Sequence, residues 1–285
     1  MEELAYAKLN LALHVRERGA DGYHRIETLF AFAEHGDRLS VARADGLALA
    51  VGGPFAAAVP HGEDNLVLKA ARLLRRRFDI VAGAALSLSK MLPVAAGLGG
   101  GSADAAAALR LLARFWSLDA SDAALMDIAR DLGADVPACL RSRMARGEGR
   151  GDRLSAVADA VLAAAPVLLV NPGVPLSTRD VFAGWDGRDG GPLPAGSPIE
   201  AVRAGRNDLE RPARALAPAI GEVLGVLDTT AGARLVRMSG SGSTCFALYG
   251  CERDRDSALA AIAAAHPGWW CLATRLRGPA EGAAG

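Results

Sequence analysis

The sequence predicts an α+β fold, and three observations carry that reading. Several strand-like segments precede the first long helical one, and strands and helices then alternate irregularly, unlike a doubly wound parallel sheet. Residues 5–15 alternate strictly between apolar and other side chains, the period of a strand with one buried face. A glycine-rich run, Gly97 to Gly101, joins a strand-like segment to an alanine- and leucine-rich helical one. The length of 285 residues leaves room for one large or two medium domains.

In the first strand Ala5, Ala7, Leu9, Leu11, Leu13 and Val15 share one face, and Tyr6, Lys8, Asn10 and His14 share the other. Lys8 and Asn10 then stand about 7 Å apart on a polar face that, from spacing alone, reads as a solvated outer face. Arg16 to Asp21 is a polar turn. Gly22 to Phe30 enters a second strand, with Tyr23 and His24 at its entrance. Residues 37–43 and 46–51 read as two more short strands around a turn at Ala44-Asp45. Pro60-His61-Gly62 is a loop. Asp64 or Asn65 then caps a helix over 66–77, with Leu66, Leu73, Leu74 and Phe78 on its apolar face. Residues 84–90 suit a strand with Leu86 and Leu88 on one side, and residues 103–116 suit a helix.

Ser121 opens another helix that ends at the C-cap Gly133. Asp135 followed by Pro137 reads as an N-cap with proline in the first turn. The glycine- and arginine-rich stretch 141–153 reads as a turn region near a domain junction, its arginines open equally to phosphate or to solvent. Residues 166–170 form a short buried strand, and 171–178 turn into a short helix carrying Phe182. Residues 185–197 read as a mobile surface loop without legible function. Asn207 to Glu210 caps a helix, and a second runs over 218–228. The strand 234–238 leads into Ser239-Gly-Ser-Gly-Ser-Thr244. A strand over 244–249, a helix over 257–265, a strand over 269–275 and a frayed tail over 278–285 complete the chain.

The stretch Pro93-Val-Ala-Ala-Gly-Leu-Gly-Gly-Gly-Ser102-Ala-Asp104 is the most informative. Glycine has no Cβ and tolerates positive φ, so a ligand can approach the backbone N–H groups. Ser102 reads as the N-cap of the following helix, whose start carries unpaired N–H groups and partial positive charge. Strand, glycine loop and helix N-terminus together suit an anion, most often phosphate. The Walker loop is excluded, because no Gly-Lys-Ser/Thr closes the run. Ser102 also stands where a dinucleotide fingerprint needs its third glycine.

The whole string resembles the phosphate loop of the GHMP kinases. Ala7-Lys-Leu-Asn-Leu11, Asp21-Gly-Tyr-His24 with Thr28-Leu-Phe30, and Gly133-Ala-Asp-Val-Pro137 resemble motifs of one branch of that family. That branch phosphorylates the 2-hydroxyl of a cytidine diphosphate polyol in non-mevalonate isoprenoid precursor biosynthesis. The resemblance covers nearly the whole chain. It implies a two-domain fold: a ribosomal-protein-S5-like N-terminal domain over 1–155 and a ferredoxin-like C-terminal domain over 156–285.

The same resemblance implies the roles. ATP would meet Asn65 at its adenine, Lys90, and the loop of Pro93, Val94, Ala95, Ala96, Gly97, Leu98, Gly99, Gly100, Gly101, Ser102 and Ala103. Asn65 can be helix cap and adenine contact at once. Mg²⁺ would be held mainly by the ATP phosphates and Ser102, with no protein metal ligands otherwise assigned. Asn10, Tyr23, His24, Thr178 and Phe182 would bind the cytidine substrate, with Tyr23 and Phe182 covering opposite faces of the cytosine from different domains. Asp135 would be the base toward the acceptor hydroxyl. Lys8 would either orient Asp135 or lower the pKa of the hydroxyl. The loop 239–244 resembles the third family motif.

Composition limits the other classes. The 32 basic and 32 acidic residues cancel, so no net positive field points to nucleic acid. The acidic start, Met-Glu-Glu, lacks the basic region of a signal peptide. The most apolar run, 161–170, is far short of a membrane span. Cys139, Cys245, Cys251 and Cys271 show no CxxC spacing and read as free thiols in a reducing compartment, so a cytoplasmic protein is expected. The five histidines form no zinc pattern. A homodimer is compatible with all of this. Another GHMP kinase, such as a homoserine kinase, has no reason to carry Tyr23, His24 and Phe182. A silent homologue acting as a metabolite sensor has none to keep Lys8, Ser102 and Asp135 together. A dinucleotide-dependent dehydrogenase needs a strand soon after the 103–116 helix, and Asp119 arrives without one.

Overall fold

The computed structural model describes residues 1–60 and 62–278. The strands are β1 (Glu2–Arg18), β2 (His24–Ala42), β3 (Leu47–Gly52), β4 (Ala84–Ser89), β5 (Ala145–Gly149), β6 (Arg153–Ala156), β7 (Pro166–Asn171), β8 (Ala233–Met238), β9 (Cys245–Tyr249) and β10 (Trp270–Arg275). The α-helices are α1 (Leu66–Arg77), α2 (Gly100–Phe115), α3 (Asp122–Leu132), α4 (Val136–Arg141), α5 (Thr178–Ala183), α6 (Pro198–Ala204), α7 (Glu210–Leu216), α8 (Ala219–Asp228) and α9 (Glu252–Ala265). His61, in the loop expected at 60–62, and residues 279–285 of the expected tail lie outside the described residues.

Contacts group the chain into two compact units that interleave along it. The first comprises Met1–Lys8, His35–Val94 and Gly99–Ser142; the second comprises Leu9–Glu34, Ala95–Leu98 and Arg143–Gly285. Compactness therefore does not follow one cut near residue 155. Strands β1 and β2 each belong in part to both units, because each is far longer than the mean strand.

In the first unit the end of β2 pairs antiparallel with β4, and β3 pairs parallel with β4. The two short strands expected around 37–51 are thus the end of β2 and the separate strand β3. Gly36 does not interrupt β2. A Cβ there would stand 1.9 Å from the Ala5 carbonyl oxygen, so the glycine permits close approach of two backbones. Helix α1 packs on α2 and α3, and α2 on α4. Ala103 and Ala105 to Leu109 of α2 are all buried, and their small side chains let neighbours come close on several sides. Helix α1 begins and ends where the pattern predicts, but it buries Val67, Leu68, Ala70, Ala71 and Leu74. Leu66, Leu73 and Phe78 are only half-buried, so the packed stripe is rotated from the expected one. Ser121 caps α3, accepting the Ala124 N–H at 3.3 Å.

In the second unit the start of β2 pairs antiparallel with β5, and β5 with β6. The stretch 141–153 therefore contains β5 and the first residue of β6 and is not only turn. The second sheet runs β10-β7-β9-β8, all antiparallel. Helix α8 precedes β8 and α9 precedes β10, which gives the βαββαβ order of a ferredoxin-like core. Leu168, Val170, Cys245 and Ala247 of the sheet meet Ile220, Val223 and Leu227 of α8 and Ala258 and Ile262 of α9. Helix α6 was not legible in the sequence. Helix α9 starts at Glu252, five residues ahead of the expected Ser257.

Two expectations for surface segments are overturned. Lys8, Asn10 and His14 are 4%, 2% and 0% exposed, so the second face of β1 is covered and not solvated. His14 accepts the Arg206 N–H at Nε2, 3.1 Å away. Its Nδ1 therefore carries the proton and donates it to the Gly191 carbonyl at 3.1 Å. Burial holds this imidazole below its ordinary pKa. The 185–197 loop is likewise pinned. Leu193 is buried and gives its N–H to Glu27 at 2.8 Å, Arg146 donates to the Pro194 carbonyl at 3.1 Å, and Arg16 pairs with Asp189 at 2.9 Å.

Candidate active site

The candidate site residues fall into three groups. The first lies in the first unit, around the start of α2. Gly99, not Ser102, is the N-cap of that helix, with φ of 61°. That left-handed value favours glycine. Ser102 falls inside the first turn, because the helix begins three residues earlier than expected. The first-turn N–H groups have no intrahelical acceptor, and the helix dipole adds positive potential there.

Lys8 and Asp135 meet beside this turn, with Nζ 3.1 Å from Oδ2. The lysine side chain is 5% exposed and the aspartate side chain 36%. A Cβ on Gly99 would come within 2.9 Å of Lys8 Cε and 3.8 Å of Asp135 Oδ2, so the loop backbone runs directly against the pair. Asp135 occupies the N-cap position of α4, but its side chain makes no capping hydrogen bond. The cap expected from Asp135 and Pro137 is positional only, and the carboxylate is turned to Lys8.

Lys90 is not in this group. Its ammonium is buried between Asp37 Oδ2 at 2.6 Å and Asp104 Oδ2 at 2.7 Å. Asp37 also accepts the N–H groups of Met91 and Leu92. Burial alone would depress the Lys90 pKa; the two carboxylates more than offset it, and the pKa is raised. Burial pushes the Asp104 carboxyl up to about 7, against the pull of Lys90, and its Oδ1 has no hydrogen-bond partner. Lys90, expected at ATP, thus has its ammonium held in a cluster of carboxylates under the loop. Gly100 fits over it, since a Cβ there would stand 2.9 Å from Lys90 Nζ. Asn65 is also occupied. Its Oδ1 accepts the Val67 N–H and its Nδ2 donates to the Pro60 carbonyl, both at 2.9 Å, and the residue is 5% exposed.

The second group, in the second unit, ties the first half of the glycine loop to residues 239–244. Ser239 Oγ donates to the Gly97 carbonyl at 2.9 Å, and the Thr244 N–H to the Ala96 carbonyl at 3.1 Å. Gly97, at φ of 75°, could not carry a side chain: its Cβ would lie 2.2 Å from the Ser239 carbonyl oxygen. Pro93, Ala96 and Leu98 are buried, Val94 is half-buried and Ala95 is exposed. Asn10 donates its N–H to Ser239 Oγ at 3.2 Å and its Nδ2 to Thr28 Oγ1 at 2.8 Å. Thr178, at the start of α5, shares a hydrogen bond with Ser241 at 3.0 Å.

The third group is aromatic and also lies in the second unit. His24 packs on Phe182, with ring centroids 5.0 Å apart, and meets Trp185 edge-on at 5.6 Å. Burial, then the Arg18 charge, lowers the His24 pKa, which favours a neutral imidazole. Tyr23 is 52% exposed, and its ring lies under the Arg150 guanidinium, 4.1 Å from the centroid. Tyr23 and Phe182 therefore belong to one compact unit, not to two. Trp185 escaped the sequence reading, although its spacing from Phe182 puts both on one side of a helical turn. Arg150, Asp37 and Asp104 also escaped it, because their partners are distant in sequence.

Among the described residues no cluster of three or more His, Cys, Asp or Glu could hold a metal, and no helix is long and apolar enough to cross a membrane. The four cysteines are free.

Comparison with known proteins shows the family of the chain. The family model for the GHMP kinases N-terminal domain matches residues 65–143, and that for the GHMP kinases C-terminal region matches residues 197–268. A 4-diphosphocytidyl-2-C-methyl-D-erythritol kinase of Rhizorhabdus wittichii is 57% identical over 96% of this chain and 94% of its own. One from Sphingopyxis alaskensis is 51% identical over 97% of this chain and 99% of its own. A crystal structure of 4-(cytidine 5'-diphospho)-2C-methyl-D-erythritol kinase superposes with a TM-score of 0.83 at 37% identity, covering 98% of this chain and all of that one. A homoserine kinase from Cytophaga hutchinsonii, at 17% identity and a TM-score of 0.69, shares the fold.

Proposed function

We propose, from the premise that this chain belongs to the GHMP kinase family, how its residues divide the work of a 4-diphosphocytidyl-2-C-methyl-D-erythritol kinase. The reaction moves a phosphoryl group from ATP to the 2-hydroxyl of that substrate, a step in non-mevalonate isoprenoid precursor biosynthesis. The observation that carries the assignment of roles is the Lys8–Asp135 pair, 3.1 Å apart, set against Gly99 at the start of α2.

Phosphoryl transfer depends on positioning and charge neutralisation more than on covalent chemistry. Loop residues Gly97 to Ser102 supply N–H groups and a helix N-terminus for the triphosphate. The absence of side chains at Gly97 and Gly99 suits a backbone cradle. Mg²⁺ would be held by the Ser102 hydroxyl together with the ATP phosphates; among the described residues no cluster of His, Cys, Asp or Glu offers it another site. When bound there, the ion would supply charge to neutralise the transferred group. Asp135 accepts the proton of the acceptor hydroxyl. The partly exposed carboxylate can reach a substrate, while the nearly buried Lys8 holds it in place. Lys8 also offers positive charge to the oxygen as its proton leaves.

Recognition of the cytidine falls to the aromatic group. His24 as a neutral imidazole can both donate and accept toward a base edge, and Tyr23 and Phe182 offer faces for stacking. Asn10 and Thr178 add polar contacts. We further place the reaction in the cytoplasm, which four free cysteines suit. A division at residue 155 falls between the two matched spans, and limited proteolysis between them would test it. A homodimer remains a proposal, to be checked by light scattering.

The substrate assignment is tested by kinetics. The purified chain should turn over ATP with the cytidine substrate and not with homoserine or mevalonate. Tyr23→Ala and Phe182→Ala should each lose about 1–3 kcal/mol of stacking, a roughly 5- to 150-fold rise in KM for the cytidine substrate. KM for ATP should barely move. The double variant should lose less than the sum, since both rings act on one base. Normal KM values in both single variants, with melting curves unchanged, would sink the stacking roles.

A further inference from the structure

Tyr23 sits in the turn ahead of β2, held by its backbone. Its N–H goes to Asp21 Oδ1 at 3.1 Å and its carbonyl accepts the Gly19 N–H at 2.7 Å. The ring itself is 52% exposed. The contact recorded on that ring comes from the turn between β5 and β6, where the Arg150 guanidinium lies over it at 4.1 Å.

The environment of Arg150 makes this contact informative. The residue lines a cavity of about 530 Å³ with Glu17, Glu27, Glu148 and Asp152, and with Arg25, Arg16 and Arg153, which pair with the first three of those carboxylates in turn. A guanidinium beside carboxylates ordinarily takes one as a fork-shaped partner, but here other arginines hold three of the four. Among the described residues, Arg150 forms no such ion pair, and its Nε is buried without a hydrogen-bond partner. Its planar cation instead covers an aromatic face, an arrangement that the ring quadrupole favours and that suits arginine better than lysine.

We propose that Arg150 is a positioning residue for cytidine recognition. It holds the Tyr23 ring from one face, so that the other is presented to the cytosine already fixed. A ring ordered before binding gives up less freedom on binding. The inference rests on the stacking role given to Tyr23 above and adds what fixes that ring in place. No covalent step is involved, and Arg150 need not touch the substrate.

Arg150→Met keeps the length of the side chain and removes the charge and the plane; Arg150→Lys keeps the charge alone. The methionine variant should raise KM for the cytidine substrate roughly 2- to 5-fold, the weight of a cation–π contact at an exposed site. It should leave kcat, KM for ATP and the melting temperature unchanged, and lysine should restore part of the loss. In a Tyr23→Ala background Arg150→Met should add nothing, because it acts through that ring. An unchanged KM overturns the proposal. So does a lowered KM, which would mean that Arg150 covers the face the base needs, and so does a fully additive loss. A second readout needs no substrate: carbon-13 relaxation of the Tyr23 ring in the ligand-free chain should report greater mobility in Arg150→Met, and equal mobility overturns the positioning role. Failure of the wild-type chain to use the cytidine substrate would instead overturn the functional reading itself, leaving the ring measurement to decide on Arg150.

Discussion

Asp135→Asn should fold normally and lose roughly 10²- to 10⁴-fold in kcat, the range of a positioned general acid–base group. The two demands are separable here because of where the carboxylate points. It stands at an N-cap position, and a true cap lost to substitution costs about 1 kcal/mol. No capping hydrogen bond exists to lose. The amide keeps an oxygen for the Lys8 ammonium, 3.1 Å from the native carboxylate, so the buried lysine keeps an acceptor. What disappears is the capacity to take a proton. KM for ATP and for the cytidine substrate should therefore change little, and single-turnover rates should fall as far as kcat. Turnover within a few-fold of the wild type would remove Asp135 from the chemistry. A large drop in melting temperature with normal kcat would return it to a structural role.

What the sequence made legible follows from the range of each interaction. The glycine loop between a strand and a helix, the N-cap at Asn65 and the βαββαβ order of the second half depend on near neighbours, and they read correctly. The face of β1 did not. Alternation says which of Lys8, Asn10 and His14 share a side, but not whether something covers that side. Here each of the three is at most 4% exposed. Ser102 was misplaced as a cap because several small residues in a row leave the first turn undefined. Gly99, in left-handed conformation against Lys8, fixes it in space. Tyr23 and Phe182 were recognised as aromatic contacts, yet their partners, Arg150 for one and His24 for the other, are set by folding and not by spacing. Lys90 shows the same limit. The resemblance puts it at ATP, and spacing could not show that its ammonium lies between Asp104 and Asp37, the latter far back in β2.

That cluster gives the largest expected effect on stability. Lys90→Met should destabilise the chain by about 3–5 kcal/mol, the usual cost of leaving buried charge without its partner. Methionine matches the lysine stem in shape, so little packing is lost; the loss is electrostatic. Lys90 is 2% exposed, and it is the ammonium that both Asp37 and Asp104 contact. The pH dependence identifies the cause. The Asp104 carboxyl titrates at about 7 in the folded chain against an ordinary 3.8, so between these values the folded chain holds a proton that the unfolded chain has released. Its contribution to stability is full below 3.8 and is lost as pH rises through 7. Asp104→Asn should accordingly flatten the decline in wild-type stability across that window. In Lys90→Met the Asp104 carboxylate lacks its cation, so the deficit should be greatest at pH 8 and shrink toward pH 5 as that carboxyl takes up its proton. The measurement is urea unfolding of the wild type and the two variants at pH 5, 6.5 and 8. A deficit in Lys90→Met that stays constant with pH would mean lost packing and not unpaired charge. A deficit under about 1 kcal/mol, typical of an exposed pair, would mean that solvent reaches the cluster and that Lys90 is again free to meet a phosphate.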